Sequence, residues 1–160
     1  MPRYHMCRKD REITDPAEMT QILSQGKFAT VALCRGDEPY LVALNYGFDP
    51  GRNCLYFHCA GKGLKLDFIR ANPQACALVV DDRGYVQTEC DHHYRSVVAW
   101  GEMNVVDDLA DKRNAIDVMQ RQLEEDPKVV REKMPVNDDA LLKVVILSLS
   151  IRELTAKKNT

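Results

Sequence analysis

Three apolar stretches, "KFATVALC", "YLVALNYGF" and "CLYFHCA", follow one another between residues 27 and 60, with only "RGDEP" and "DPGRN" between them. Connectors this short reverse a chain, but they cannot carry the crossover of a dozen or more residues that parallel strands require. The three stretches therefore read as an antiparallel meander.

The remaining elements fit around that meander. "TDPAEMTQILSQ" predicts a helix over 14–25, with Asp15 as N-cap, Pro16 at the first helical position, Glu18 three residues after the cap and Gly26 as the stop. A second helix is expected over 62–72 and ends at Asn72-Pro73, with Leu64, Phe68 and Ala71 as its buried stripe. "QACALVVDD" reads as a fourth strand and "RSVVAWGEMNVV" as a fifth that bends near Gly101. Residues 108–124 form a third helix with Leu109, Ile116, Met119 and Leu123 near one face, and "LLKVVILSLSIREL" returns as a sixth strand. No repeat, linker or low-complexity tract divides the chain, so one domain over residues 1–160 is expected. The fold class is mainly β: a small six-stranded antiparallel barrel with peripheral helices, the structural alternative being an α+β sandwich.

Charge and composition narrow the partners. A net charge of −2 and the lack of a long basic run give no electrostatic footprint for nucleic acid. No stretch approaches the ~20 apolar residues of a membrane helix, and the charged N-terminus "MPRYHMCRKDREI" does not read as a secretory signal, so a cytoplasmic protein is expected. The six cysteines form no C-x-x-C pair and read as reduced thiols. Cys54 and Cys59 fall on opposite faces of one strand and cannot share a metal. Cys90, His92 and His93 in "CDHHY" are soft ligands without a second ligand pair, so the segment reads as a polar loop and no metal site is assigned.

Strand parity assigns faces. In the second strand Tyr40, Val42, Leu44, Tyr46 and Phe48 share the large, core-facing side, while Leu41, Ala43, Asn45 and Gly47 share the other. That small face is either a solvent edge or a platform on which a flat ring meets backbone groups and one amide. In the third strand Leu55, Phe57 and Cys59 oppose Cys54, Tyr56 and His58, which sends His58 out of the barrel. The turn "AGKGLK" then sets Lys62 and Lys65 where a helix begins. Cations are disfavoured there by about 0.3–1 kcal/mol each. The turn is either a solvated charged helix start, with Asp67 balancing Lys65 and Arg70, or an anion site sized for one phosphate.

Four segments, "EPYLVALNYGF", "LYFHCAGKGLKLDFIRANPQACALVV", "HHYRSVVAWGEMNVV" and "VVILSLSIRELTAKKN", occur in an order and spacing that resembles the pyridoxamine-phosphate-oxidase-like flavin split barrels. The similarity is to the branch related to nitroimidazole-resistance (Nim) proteins, and it covers roughly residues 7 to 158. The resemblance implies a six-stranded split barrel acting as a homodimer with FMN between subunits. It places the flavin ring along Ala43, Leu44 and Asn45, and the FMN phosphate at His58, Cys59, Lys62 and Lys65. Ser96 and Trp100 of the partner subunit would close the site, the indole covering the apolar end of the ring. Many members carry serine or threonine where this chain has Cys59, and proline where it has Ala43.

The resemblance further implies an FMN-dependent oxidoreductase that passes electrons from a reduced nicotinamide to a small, flat, possibly nitroaromatic acceptor. His58 is a weak candidate for proton donation. The arginine- and lysine-rich substrate signature of a true pyridoxamine-phosphate oxidase is missing. The alternatives are a flavin-binding module that stores or senses the cofactor, and a haem-binding split barrel with His58 as axial ligand.

Overall fold

The computed structural model describes residues 6–160. Six strands, β1 (Phe28–Arg35), β2 (Glu38–Asp49), β3 (Cys54–Cys59), β4 (Gln74–Val86), β5 (Asp91–Val106) and β6 (Val145–Asn159), close into a barrel in the order β1-β2-β3-β6-β5-β4. Every pairing is antiparallel. The expected mainly β barrel is what the chain forms, and closing the ring removes the exposed strand edges that an open sheet would present.

β2 bonds β1 through its first part, from Glu38 to Asn45, and β3 through its last, from Tyr46 to Asp49. Its two ends therefore belong to different walls. On β2 and β3 the inward residues follow the predicted parity, Tyr46 and Phe48 with Leu55 and Phe57, and Val31, Leu33, Ala77, Val79, Val97, Ala99, Leu147 and Leu149 of the other strands complete the core. Burying each large side chain contributes about 1.5–3 kcal/mol. The bend expected at Gly101 is a register shift between Trp100 and Gly101 in the β5–β6 ladder.

Five helices, α1 (Pro16–Gln25), α2 (Leu64–Ala71), α3 (Leu109–Leu123), α4 (Pro127–Lys133) and α5 (Asp138–Lys143), surround the barrel. In α1 the Asp15 carboxylate accepts from the Ala17 N–H at 2.9 Å, as the sequence predicts, and Ile22 and Leu23 enter the core. Glu18 does not complete a capping box; it bonds Lys158 Nζ at 2.9 Å. Beside it the buried Arg95 donates to Asp81 at 2.9 Å and to Gln21 at 3.0 Å, tying α1 to β4 and β5.

This cluster gives the fold an acid limit. Lys158 hydrogen bonding holds Glu18 below its ordinary 4.5, and Asp81 sits below 3.8 because Arg95 and Arg83 outweigh the opposing effect of burial. Both folded-state values are depressed, so the stability they contribute is present above the unfolded values and lost as pH falls through the folded ones. Tm is expected to be flat from pH 7 to about 5 and to fall below, with a shallower acid slope in Glu18→Gln. An unchanged slope in that variant would remove Glu18 from the explanation.

α3 covers the outer side of β2 and β3. A Cβ on Gly47 would stand 2.7 Å from the Met119 backbone nitrogen, so the helix backbone approaches the strand too closely for a side chain there. Under it Cys54, Tyr56, Ala115, Met119 and Ile146 form a second core cluster. Lys112 is buried on α3, where its ammonium donates to the Leu141 and Val144 carbonyls at 3.1 and 2.9 Å and anchors α5.

Several expectations need correction. α2 begins at Leu64 with Gly63 as N-cap, and its buried residues are Leu66, Phe68 and Ile69, while Leu64 and Ala71 are exposed. Phe68 is buried as expected, and Leu66 and Ile69, three residues apart on one helical side, take the places of Leu64 and Ala71. The apolar run from Leu141 is not one strand: residues 138–143 are helical and β6 starts at Val145. "CDHHY" is not a loop either, because β5 starts at Asp91 and only Cys90 remains in the turn.

Candidate functional site

The register of β2, β1, β4 and β5 sets out the outer face of the barrel in rows. One row runs Asn45, Phe28; the next runs Ala43, Thr30, Leu78, Val98; a third runs Leu41, Ala32, Cys76, Trp100. Val80 and Ser96 pair beside them on β4 and β5. Phe28, Leu41, Leu78 and Val80 are 62%, 65%, 38% and 52% exposed, so the face is a contiguous apolar surface rather than isolated residues. The small face of β2 predicted as a platform lies on its margin. Ala43 and Asn45 are exposed, and Asn45 Nδ2 donates to the Lys27 carbonyl at 3.0 Å, which fixes the amide and leaves its Oδ1 to accept. Leu44 turns inward onto the core and offers the face only its backbone.

The lysine turn lies beside this platform. β2 and β3 pair from Tyr46↔Phe57 outward, and both Leu44 and Cys59 pack on the same core cluster just beyond that pair. Gly63 takes φ 138°, a conformation that L side chains rarely adopt, and from it α2 opens with no side-chain cap on its first N–H groups. Lys62 is exposed and Lys65 half-buried. Asp67 bonds Arg70 at 3.4 Å, and among the described residues neither lysine forms an ion pair. The balancing role considered for Asp67 therefore goes to Arg70 alone. Lys65 is close enough to Cys59 to favour its thiolate, although burial, the larger influence, raises that thiol's pKa.

His58 and Cys59 part company. Cys59 packs inward, whereas His58 is exposed on the outer side of β3 and lines a slot of about 240 Å³ with Ile116, Met119, Leu123 and Val144. Successive strand residues face opposite ways, so the two side chains cannot meet one phosphate oxygen together. The slot is also smaller than the roughly 300–1,000 Å³ usual for small-molecule sites.

Ser96 and Trp100 both lie on the outer face. Ser96 is 5% exposed, at the floor of a groove of about 680 Å³ whose walls include Leu78, Val80, Val98, Thr155 and Lys157. The Trp100 N–H donates to Thr155 Oγ1 at 3.2 Å, which places the indole against the same wall. One end of the groove is polar: His92 Nε2 lies 2.6 Å from Asp82 Oδ1, and Tyr94 packs edge-on to the His92 ring. His93, the next residue along the strand, lies 3.8 Å from Asp91 instead. The two histidines thus face opposite sides, and among the described residues no group of three or more metal-ligating side chains forms.

Sequence reading passed over Leu78, Val80, Thr155 and Lys157. The signal was present in "QACALVV", which is apolar at both parities; a strand whose two faces are both apolar has both faces to cover.

The sequence profile described as pyridoxamine 5'-phosphate oxidase matches residues 15–158. No curated protein sequence matches the chain. Among solved structures, the flavocytochrome Anf3 from Azotobacter vinelandii superposes with a TM-score of 0.84 at 20% identity, covering 100% of this chain and 75% of that one. A candidate 5-nitroimidazole antibiotic resistance protein from Bacteroides thetaiotaomicron gives 0.79 at 22% identity, over 92% and 86% of the two chains. An FAD- and haem-binding protein from Mycobacterium smegmatis gives 0.77 at 20% identity, over 93% and 73%. At these identities the likeness is one of fold.

Proposed function

The chain belongs to the pyridoxamine 5'-phosphate oxidase family, and from that premise we propose that it binds FMN at the interface of a homodimer and acts as an oxidoreductase on a small, flat acceptor. The single observation that carries the flavin reading is the lysine turn. Two ammonium groups that form no ion pair within the described residues flank the uncapped N-terminus of α2, where backbone N–H groups already favour an anion. A phosphate monoester fits that donor set.

The ring fits the neighbouring surface. Ala43 keeps the platform low, and the Asn45 amide, fixed by Lys27, presents a carbonyl oxygen to a ring N–H. The apolar outer face supports the dimer: four large side chains exposed in adjoining rows are an interaction surface, and a second copy supplies the Ser96 and Trp100 wall opposite the platform. Bound flavin would supply hydride and electron transfer from a reduced nicotinamide. The protein's share is to hold the phosphate through Lys62, Lys65 and the backbone N–H of Cys59, to orient the ring, and to keep one ring face open. The described geometry favours a structural role for His58 over phosphate contact.

The 22% identical nitroimidazole-resistance relative motivates a nitroaromatic acceptor, whose flat ring suits an apolar groove. Two relatives whose names include haem or a cytochrome keep haem as the second reading. The 240 Å³ slot at His58 gives it little support, being too small for a macrocycle. Anaerobic mixing of the FMN-loaded protein with NADH or NADPH tests the enzyme reading: bleaching of the flavin, followed by re-oxidation on adding a nitroaromatic, is expected. Flavin that stays oxidised with both donors would leave a binding module instead.

A further inference from the structure

Outside the lysine turn and the groove, one more constellation is built into the barrel wall. β1 pairs with β4 so that Ala32 faces Cys76, and Cys34 lies two residues beyond Ala32 on the same side. Cys34 and Cys76 are thus diagonal neighbours on one face of an antiparallel ladder. Both are half-buried free thiols, and both line a cleft of about 330 Å³ with Ala32, Gln74, Trp100 and Arg152. Burial raises the Cys76 pKa, and Cys34 raises it further, which places the two sulfurs within reach of each other's charge.

One donor meets a sulfur directly, and charged groups line the rest of the cleft. Asn72 Nδ2 donates to Cys34 Sγ at 3.1 Å. Arg152 brings a guanidinium to the cleft, where it pairs with Glu102 and lies 3.5 Å from the Gln74 side-chain oxygen. Glu153 is the acidic residue of the lining. Trp100, directly across the ladder from Cys76, forms the apolar wall.

A direct disulfide does not suit the spacing. Diagonal positions put Cα atoms about 7–8 Å apart, beyond the roughly 4.4–6.8 Å that a disulfide spans. A single bridging atom with two metal–sulfur bonds of about 2.3 Å closes that gap without moving the strands. Two thiolates and no third ligand match a soft monovalent cation, which accepts two-coordinate sulfur and is selected by sulfur ligands over harder ions.

We infer that Cys34 and Cys76 form a two-thiolate site for a soft monovalent d10 cation of the copper(I) class. Binding replaces two S–H bonds by two sulfur–metal bonds and releases both protons; no electron moves, and the Asn72 amide already donates to one of the two sulfurs. The cleft shares Trp100 with the proposed flavin site, but none of its readouts needs the cofactor, so failure of the flavin reading leaves this test intact.

Silver(I), which shares this chemistry and is stable in air, is the probe. The full chain is used as purified, in a background with the exposed Cys7 and Cys90 changed to serine. Trp100 is the only tryptophan, so in flavin-free protein its fluorescence reports on the wall that this cleft shares with the groove. One silver ion per chain is expected by native mass spectrometry, with quenching of Trp100. Cys34→Ser and Cys76→Ser should each weaken binding by about 100-fold or more, because each destroys the chelate. Cys54→Ser, in the separate cluster beneath α3, should leave affinity and quenching unchanged. If Cys76→Ser does not fold, Cys34→Ser, near the strand end, carries the comparison. Equal affinity in either single-thiol variant overturns the site. So does rapid formation of a Cys34–Cys76 disulfide with a mild thiol oxidant, since it would show the sulfurs to be too close for a bridging ion.

Discussion

Exchanging Lys62 and Lys65 together for alanine is expected to weaken FMN binding by about 30-fold at low ionic strength, with much less effect at 1 M salt. The two ammonium groups lie at the start of α2, where they face backbone N–H groups and form no ion pair within the described residues. A phosphate there makes one charge-assisted contact with each. Because Lys62 is exposed and Lys65 only half-buried, each contact contributes about 1 kcal/mol, the upper end for solvent-screened pairs, and two such losses correspond to the predicted ratio. At 1 M salt the screening length contracts to about 3 Å and most of the difference disappears. Riboflavin provides the control, since it carries the ring without the phosphate and should bind both proteins equally. Equal weakening for riboflavin, or none for FMN, would move the phosphate elsewhere.

The second large effect concerns the fold. Gly101→Ala should destabilise the protein by about 3 kcal/mol or more, the upper range for inserting atoms into a filled site. A Cβ at that position would stand 1.9 Å from the Ser150 carbonyl oxygen and 2.9 Å from its carbonyl carbon. Neither is a flexible side-chain end. The obstacle is the β6 backbone at the register shift, where β5 crosses from pairing with Glu153 to pairing with Ile151. For a chain of this length the loss corresponds to a fall in Tm of about 6–12 °C. Gly36→Ala serves as a comparison: no atom lies within 4 Å of the added Cβ, and its cost comes only from the positive φ of 55°. A Tm for Gly101→Ala close to that of the unaltered protein would show that the β5–β6 register can slip to admit a side chain.

Much of this architecture can be read from residue order. The meander follows from connectors too short for anything else, α1 from Asp15 and Pro16, and the β5 bend from Gly101. What could not be read has physical causes. α4 and α5 are short helices with too few buried side chains to make a stripe: Val129 and Leu142 are exposed, and Leu141 alone is buried. α5 is held by the Lys112 ammonium reaching its end and Val144, a long-range contact with no local signature. The β4–β5 hairpin extends beyond its apolar part because polar residues continue the ladder, His92 bonding Asp82 across it. Within the candidate site, parity separated Ala43 and Asn45 from Leu44 correctly. It also separated His58 from Cys59, and the resemblance that put both at one phosphate ran against that alternation. The lysine conflict at α2 was visible in the sequence; that Asp67 turns to Arg70 instead of Lys65 required the structure.

Titration of the flavin-free chain with FMN tests the central claim most directly, following flavin fluorescence, Tm and molecular mass together. One FMN bound per chain, quenched on binding, a raised Tm and the mass of a dimer are the predicted results. FMN that is neither quenched nor stabilising, or a protein that purifies with a haem Soret band and excludes flavin, would contradict the account.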